Sequence, residues 1–459
     1  MAVRARRRLR AAVAAGPPAT AEAGLEILAE GGTAADAAVA AALASCVAET
    51  LMTGLLGGGH AAVWDGWRVQ NLDCFVAVPS GAGGPLLDVP VRFGEETVHY
   101  AVGPASCGVP GLPAGLDALR REHGRLPWAR LVEPALRLAR SGTDLPPRHA
   151  ACLAMLEPVM TLNRGAELYS PGGRLLAAGD RLEQPGLVAA LELLSAEGAA
   201  SVYRGSIAQA LLAVEGTVVT SGDLESYEAR WAEPVEVEYA GTRFLTRGGL
   251  SGVPALLRRL PRLAGLSATE RVLALVDAVD GTGPDGHTTN ICVADAEGRA
   301  VVLTSSLGLG SGNFVPGLDL HLNSMLGETD LLVGPVEPGE RMQSMMAPSL
   351  AVDADGPVMA IGSAGGTRLR TALCSVAAGV LDERLAPQEA VDRPRVHPAA
   401  ETINAEPGVD EEALRRLEAA GRPVRRWPDL HHYFGGTSLV SRFGPAADPR
   451  RDGAALELS

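Results

Sequence analysis

The sequence predicts a mixed α/β fold in which β-sheets are covered on their outer faces by helices. Three observations carry this. The first 280 or so residues read mainly as helices. A hairpin follows, in which Thr288–Ala294 turns at Asp295-Ala296-Glu297-Gly298 and returns as Arg299–Ser305. A second hairpin pairs Ser349–Val352 with Val358–Ile361 and delivers Gly362-Ser363-Ala364-Gly365-Gly366 into a helix over Thr367–Asp382.

Pro17-Pro18-Ala19-Thr20 leads into a helix over Ala21–Glu30 that Gly31-Gly32 ends. Thr33 is placed to cap a second helix, Ala34–Ala48, with Asp36 in its first turn. Gly54-Leu55-Leu56-Gly57-Gly58-Gly59 then precedes a strand, Ala61–Trp64. The glycine run lacks a GKS/GKT ending and follows no strand, so it predicts close backbone approach rather than nucleotide binding. Further helical patterns cover Gly111 to Gly142, Pro185–Gly198, Ser206–Val214 and Leu250–Val279, with a short strand at Val235–Tyr239. The loop Gly281–Gly286 leads to Thr288.

Composition narrows the function. At 459 residues with 47% hydrophobic content, the chain suits two or three ordinary domains or one large sandwich. No internal repeat or low-complexity linker divides it. A net charge of −14 argues against nucleic acid or an anionic membrane as partner. The single basic cluster, Arg4 to Arg10, reads as a solvated start to a helix, and the apolar stretch after it is short for a signal peptide. No stretch reads as a membrane-spanning helix, so the expected location is cytoplasmic. The six cysteines are scattered, without zinc spacing, and read as core residues. No metal or cofactor is indicated.

The threonine pair Thr288-Thr289 invites a chemical reading. If the His287–Thr288 bond is cut, Thr288 carries a hydroxyl nucleophile and its own α-amine. Ser306, at the end of the returning strand, could reach back toward it. Gly365 and Gly366, at a helix N-terminus, offer backbone N–H groups to an oxyanion. The plain alternatives are strand threonines on a polar face, a surface serine and a glycine-rich turn.

The ordered motifs resemble the γ-glutamyltranspeptidase family of N-terminal nucleophile hydrolases. They are Gly31-Gly32-Thr33-Ala34-Ala35-Asp36-Ala37-Ala38-Val39, Gly57-Gly58-Gly59, Val109-Pro110-Gly111, Thr220-Ser221-Gly222-Asp223-Leu224, Thr288-Thr289, Gly310-Ser311-Gly312, Asn323, Met346-Ala347-Pro348, Gly365-Gly366 and Arg393-Pro394-Arg395-Val396-His397. The resemblance implies a four-layer αββα sandwich, made as one precursor and cut into Met1–His287 and Thr288–Ser459, which stay together as a heterodimer. It implies Thr288 as nucleophile, Ser306 as the hydroxyl supporting it, and Gly365 and Gly366 as the oxyanion hole. It places Glu328, Asn323, Ser344 and Met345 at the substrate, a small molecule whose acyl group passes to water or an acceptor amine.

The chain departs from the family pattern where a glutamyl group would bind. Typical members hold the α-carboxylate with an arginine ahead of the Val-Pro-Gly motif. Here no arginine lies between Arg68 and Arg92, and the segment reads Asp73-Cys74-Phe75. The family's serine pair is Ser344-Met345, its asparagine two residues past Ser306 is Gly308, and its aspartate is Glu328. Threonine-threonine-histidine becomes Thr288-Thr289-Asn290. Three readings follow. The first is a self-processing hydrolase acting on an amide or a carbon–carbon bond of something other than glutathione, a chemistry found in secondary metabolism. The second is a conventional γ-glutamyl enzyme with a clamp rebuilt from Arg92, Arg341 or Arg368. The third is an uncut binding protein.

Overall fold

The computed structural model describes residues 8–93, 96–279, 288–328, 331–332, 334, 336–399 and 401–458. The glycine-rich loop before Thr288, and His287 itself, lie outside the described residues.

Thirteen strands form the two main sheets. They are β1 (Ala12–Ala15), β2 (Gly58–Trp64), β3 (Val69–Cys74), β4 (Arg230–Ala232), β5 (Val235–Tyr239), β6 (Thr242–Thr246), β7 (Thr289–Ala294), β8 (Ala300–Ser306), β9 (Ser349–Asp353), β10 (Gly356–Ala364), β11 (Gly436–Ser441), β12 (Gly444–Ala446) and β13 (Ala454–Glu457). The first sheet runs β13-β1-β7-β8-β2-β3-β4 and the second β12-β11-β10-β9-β6-β5.

The two sheets pack face to face. In β7 the side chains alternate: Cys292 and Ala294 face the second sheet, against Leu350, Ala360 and Val440. Ile291 and Val293 face a helical layer on the outside. Small side chains at Ala12, Ala14, Ala62, Ala294, Ala300 and Ala360 dominate the middle, which is how a chain with 4% aromatics fills it.

The first sheet's outer layer includes α1 (Pro18–Ala29), α2 (Ala34–Ala48), α3 (Leu112–His123), α4 (Trp128–Ser141) and α6 (Pro185–Glu197); α5 (Pro147–Met160) packs in a neighbouring core. The second sheet is covered by α7 (Val253–Arg259), α8 (Ala268–Ala278) and α9 (Arg368–Leu381). The result is a four-layer αββα sandwich. Every residue of α2 is buried, and its start is a capping box: Asp36 N–H donates to Thr33 Oγ1 at 3.0 Å and Thr33 N–H to Asp36 Oδ2 at 2.9 Å.

The structure corrects several sequence expectations. Leu250–Val279 is two helices, α7 and α8, separated by a segment containing Pro261, which has no N–H to continue a helix. Of the arginine cluster, Arg4, Arg6 and Arg7 lie outside the described residues, and Arg8 and Arg10 lead into β1, an interior strand, rather than into a helix. The run Pro185–Val202 does reach spanning length, 18 residues at a mean hydropathy of 1.2. It packs Leu187, Ala190, Leu191 and Leu194 into the outer-layer core, as a core helix does.

Candidate active site

Strand geometry brings the candidate residues together. Thr289 pairs with Ser305 across β7 and β8, so Thr288 and Ser306 meet at the same end of the sheet. Ser306 also pairs with Gly58 on β2. The glycine run is needed there: a Cβ on Gly57 would strike Ser306 O, one on Gly59 would strike Thr304 O at 2.5 Å, and one on Gly58 would sit 2.7 Å from Val76 N.

Thr288 is 7% exposed, and its Oγ1 accepts a hydrogen bond from Gly365 N–H at 2.9 Å. Gly365 ends the stretch that leaves β10 for α9. Its φ of +123° and Gly366's of +58° both favour glycine. A Cβ on Gly365 would also come within 2.8 Å of Gly435 Cα. Ser306 is 3% exposed, so the surface-serine alternative fails, and its Oγ accepts from Gly308 N–H at 2.9 Å.

These groups open onto a pocket of about 320 Å³, including its mouth. Phe75, Thr288, Ser306, Met325, Glu328, Leu331, Ser344, Met345, Met346, Gly366 and Leu369 line it. Six of the predicted residues, Thr288, Ser306, Glu328, Ser344, Met345 and Gly366, therefore share one wall system, and Gly365 touches Thr288. Asn323 does not join them. It is fully buried, its Oδ1 accepting from Gly108 N–H at 2.9 Å and its Nδ2 donating to Leu56 O and Gly108 O, both at 2.8 Å. Its amide holds the loops behind the pocket together.

Glu328 is the one charged side chain lining the pocket among the described residues. None of the three arginines considered for a rebuilt clamp lines it. Arg92 is exposed on a separate hairpin. Arg341 stacks over Tyr227 at 4.0 Å and faces Asp73 at 3.8 Å. Arg368 lies over the Tyr433 ring at 4.6 Å. Where the family resemblance led to an arginine, Phe75 fills the wall. Its ring stacks on His60 with centroids 5.5 Å apart, and its N–H donates to Asp73 Oδ1 at 2.9 Å. Burial, reinforced by the Arg247 charge, lowers the His60 imidazole to about 3, so it packs as a neutral ring.

Gly308 and Glu328, two separate departures in the sequence, meet in the structure. Gly308 has φ +72°, and a Cβ there would lie 2.5 Å from Ser324 Oγ and closer still to Glu328 Oε1. The glycine makes room for the longer acid. The reading missed Phe75 as a wall residue, along with Met325, Leu331, Met346 and Leu369. It also missed a second, narrower chamber on the far side of Thr288, lined in part by Glu49, His149 and Arg451.

The cysteines sit apart from this chemistry. All six are free and buried. Cys292 donates to Ser438 O at 3.1 Å, and burial pushes its thiol up to about 12.

A two-sheet sandwich with a threonine at the head of an inner strand, facing the Gly365 N–H, has the architecture of an N-terminal nucleophile hydrolase. The chain belongs to the γ-glutamyltranspeptidase family, whose model, described as "Gamma-glutamyltranspeptidase", matches residues 20–280 and 273–458. It is thus an enzyme of the hydrolase and acyltransferase kind. It is 27% identical to the acylase ACY 1 proenzyme of Pseudomonas sp. (strain V22), over 96% of this chain and 92% of that protein. It is 24% identical to the glutathione hydrolase proenzyme of Bacillus subtilis (strain 168), over 97% and 91%. In structure it is similar to the cephalosporin acylase from Bacillus halodurans, with a TM-score of 0.84 at 22% identity, covering 98% of this chain and 96% of that one.

Proposed function

We propose that the chain is a self-processing threonine hydrolase that acts on an acyl group other than γ-glutamyl. Cleavage before Thr288 gives Met1–His287 and Thr288–Ser459, held together by the shared sheet in which β1, β2 and β3 flank β7 and β8. The freed α-amine takes the hydroxyl proton as Thr288 Oγ attacks the substrate carbonyl. An acyl-enzyme forms, and the Gly365 and Gly366 N–H groups face the developing oxyanion. Water or an amine then takes the acyl group.

The observation that carries the substrate reading is the pocket wall. Phe75, Met325, Leu331, Met345, Met346 and Leu369 make it largely apolar, with Glu328 as its charged point among the described residues. This supports a small molecule with an apolar body and a cationic or hydrogen-bond-donating group, carrying an amide or a cleavable carbon–carbon bond at the carbonyl. The acylase relatives favour the amide. A glutamyl α-carboxylate would meet no lining arginine among the described residues and would lie near Glu328. Losing one charge-assisted hydrogen bond costs about 1.5–3 kcal/mol, roughly ten- to a hundredfold in binding.

The test compares p-nitroanilides of γ-glutamate and of a series of apolar acids, with and without an amino group. Higher kcat/KM for an apolar acyl group supports the reading. Turnover of the γ-glutamyl compound above all others overturns it.

A further inference from the structure

Thr288 lies between two cavities. The rear chamber is the tighter of the two, with room for about one water. Its lining is unusually polar for a sandwich interior. Glu49, just past the end of α2, is 2% exposed, and its carboxylate accepts from Thr289 Oγ1 at 2.6 Å and Thr20 Oγ1 at 2.8 Å. A Cβ on Gly16 would collide with this carboxylate, so the glycine just after β1 admits it.

His149 from α5 faces the same chamber. It is 2% exposed, its Nδ1 lies 3.2 Å from Asp452 Oδ2, and its Nε2 has no hydrogen-bond partner. With Nδ1 set against Asp452, Nε2 is left with a hydrogen-bonding position open to a water in the chamber. A buried, unpartnered nitrogen costs free energy unless something binds it.

Self-cleavage poses a problem that the rear chamber answers. Before the cut, the nitrogen of Thr288 is a peptide nitrogen and is no base. We propose that Glu49 is a positioning residue that accepts the Thr288 hydroxyl proton through one water held against His149 Nε2, and so drives self-cleavage. This rests on Thr288 being the nucleophile. The Oγ–H bond breaks, and the proton passes through the water to the Glu49 carboxylate. The oxygen electron pair bonds to the carbonyl carbon preceding Thr288. As that carbon's bond to nitrogen breaks, the proton returns through the water to the nitrogen, leaving an amine and an ester. A water molecule then hydrolyses the ester, its hydroxyl going to the carbonyl and its hydrogen to Oγ.

Burial raises the Glu49 carboxyl above the ordinary range, against the pull of His149, the Thr289 and Thr20 hydroxyls and Arg451. A carboxylate so shifted is a stronger base than a surface glutamate. The charged and titratable groups around it are His149 with Asp452 behind it, Arg451 and Asp448 from the C-terminal segment, and Cys46 on α2.

The experiment follows self-cleavage of freshly synthesised chain in a cell-free system, by gel, across pH. In the wild-type chain the rate falls as pH drops through the raised Glu49 titration. Glu49→Gln keeps the shape, its Oε1 accepting from one threonine hydroxyl and its Nε2 donating to the other, and should slow cleavage about a hundredfold or more, abolishing that limb. Thr20→Val removes one donor to the carboxylate and should move the limb to higher pH while leaving the high-pH rate nearly intact. A purely structural role would not move it. His149→Gln should slow cleavage with the fold retained in thermal melts. Wild-type rate and pH profile in Glu49→Gln, or an unmoved limb in Thr20→Val, overturns the proposal. If Glu49→Gln fails to fold, Thr20→Val and His149→Gln decide alone. Thr288→Ala separates the two claims: a chain still cut there sinks the nucleophile assignment, and the relay with it. Uncut Thr288→Ala beside an unaffected Glu49→Gln sinks the relay only.

Discussion

Replacing Gly308 with alanine should crowd both Ser324 and Glu328, and replacing Glu328 with aspartate should relieve the part of that damage that comes from Glu328. Two costs arise at Gly308→Ala. Its φ of +72° is unfavourable for any residue with a Cβ, at about 1–2 kcal/mol. The new methyl also lies 2.5 Å from Ser324 Oγ and nearer to Glu328 Oε1, so both must retreat by about 1 Å to reach ordinary contact. Ser324 Oγ accepts the Leu309 N–H at 3.0 Å, and losing that bond adds about 0.5–1.5 kcal/mol. The sum is about 1.5–3.5 kcal/mol, read as a shift in the urea midpoint at constant slope. Shortening Glu328 by one methylene removes its share of the collision. The double variant should therefore be less destabilised than the sum of the singles, by about 0.5–1 kcal/mol or more. Strict additivity would refute the claim that the glycine exists to admit the longer acid.

Other outcomes follow from the same geometry. Gly365→Ala meets both a φ of +123° and a 2.8 Å approach to Gly435 Cα, so the N–H aimed at Thr288 must move. Turnover, measured as initial rate, should fall about 10²–10³-fold. Asp448, 1% exposed, accepts from Arg395 Nη2 at 2.5 Å and Arg450 Nη1 at 3.1 Å. Burial pushes its carboxyl up, but the two guanidiniums carry it below the ordinary range. Its stabilisation is therefore complete above the unfolded-state value of about 3.9 and lost as pH falls through the lower folded-state value. Asp448→Asn should cost about 3–5 kcal/mol near neutrality and flatten the acid side of a stability–pH curve. The buried cysteines, among them Cys292 and Cys152 at about 12, should not react with a thiol reagent until the chain is unfolded.

The parts of the fold that could be read from sequence are those that local chemistry determines. Thr33 and Asp36 form a capping box within four residues, and α2 begins where they place it. The turn Asp295-Ala296-Glu297-Gly298 sets the β7–β8 register, which in turn aligns Thr288 with Ser306. By contrast, β1 is Ala-Val-Ala-Ala, buried throughout and without alternation. Its partners start at Thr289 and Ala454, far along the chain, so nothing nearby marks it as a strand. The site was legible where the family motifs gave positions. Its couplings were not. Gly308 and Glu328 each read as isolated departures because the contact between them is made through space. Glu49 belongs to no motif in the sequence; only the folded chain brings it to Thr289 and into one chamber with His149.

The central claim is that Thr288 becomes an N-terminal nucleophile, and intact-mass analysis of the purified protein tests it most directly. The account predicts two chains, Met1–His287 and Thr288–Ser459, that co-purify, and a single full-length chain for Thr288→Ala. A wild-type chain of 47.3 kDa that stays whole, or a cut at another bond, would contradict it.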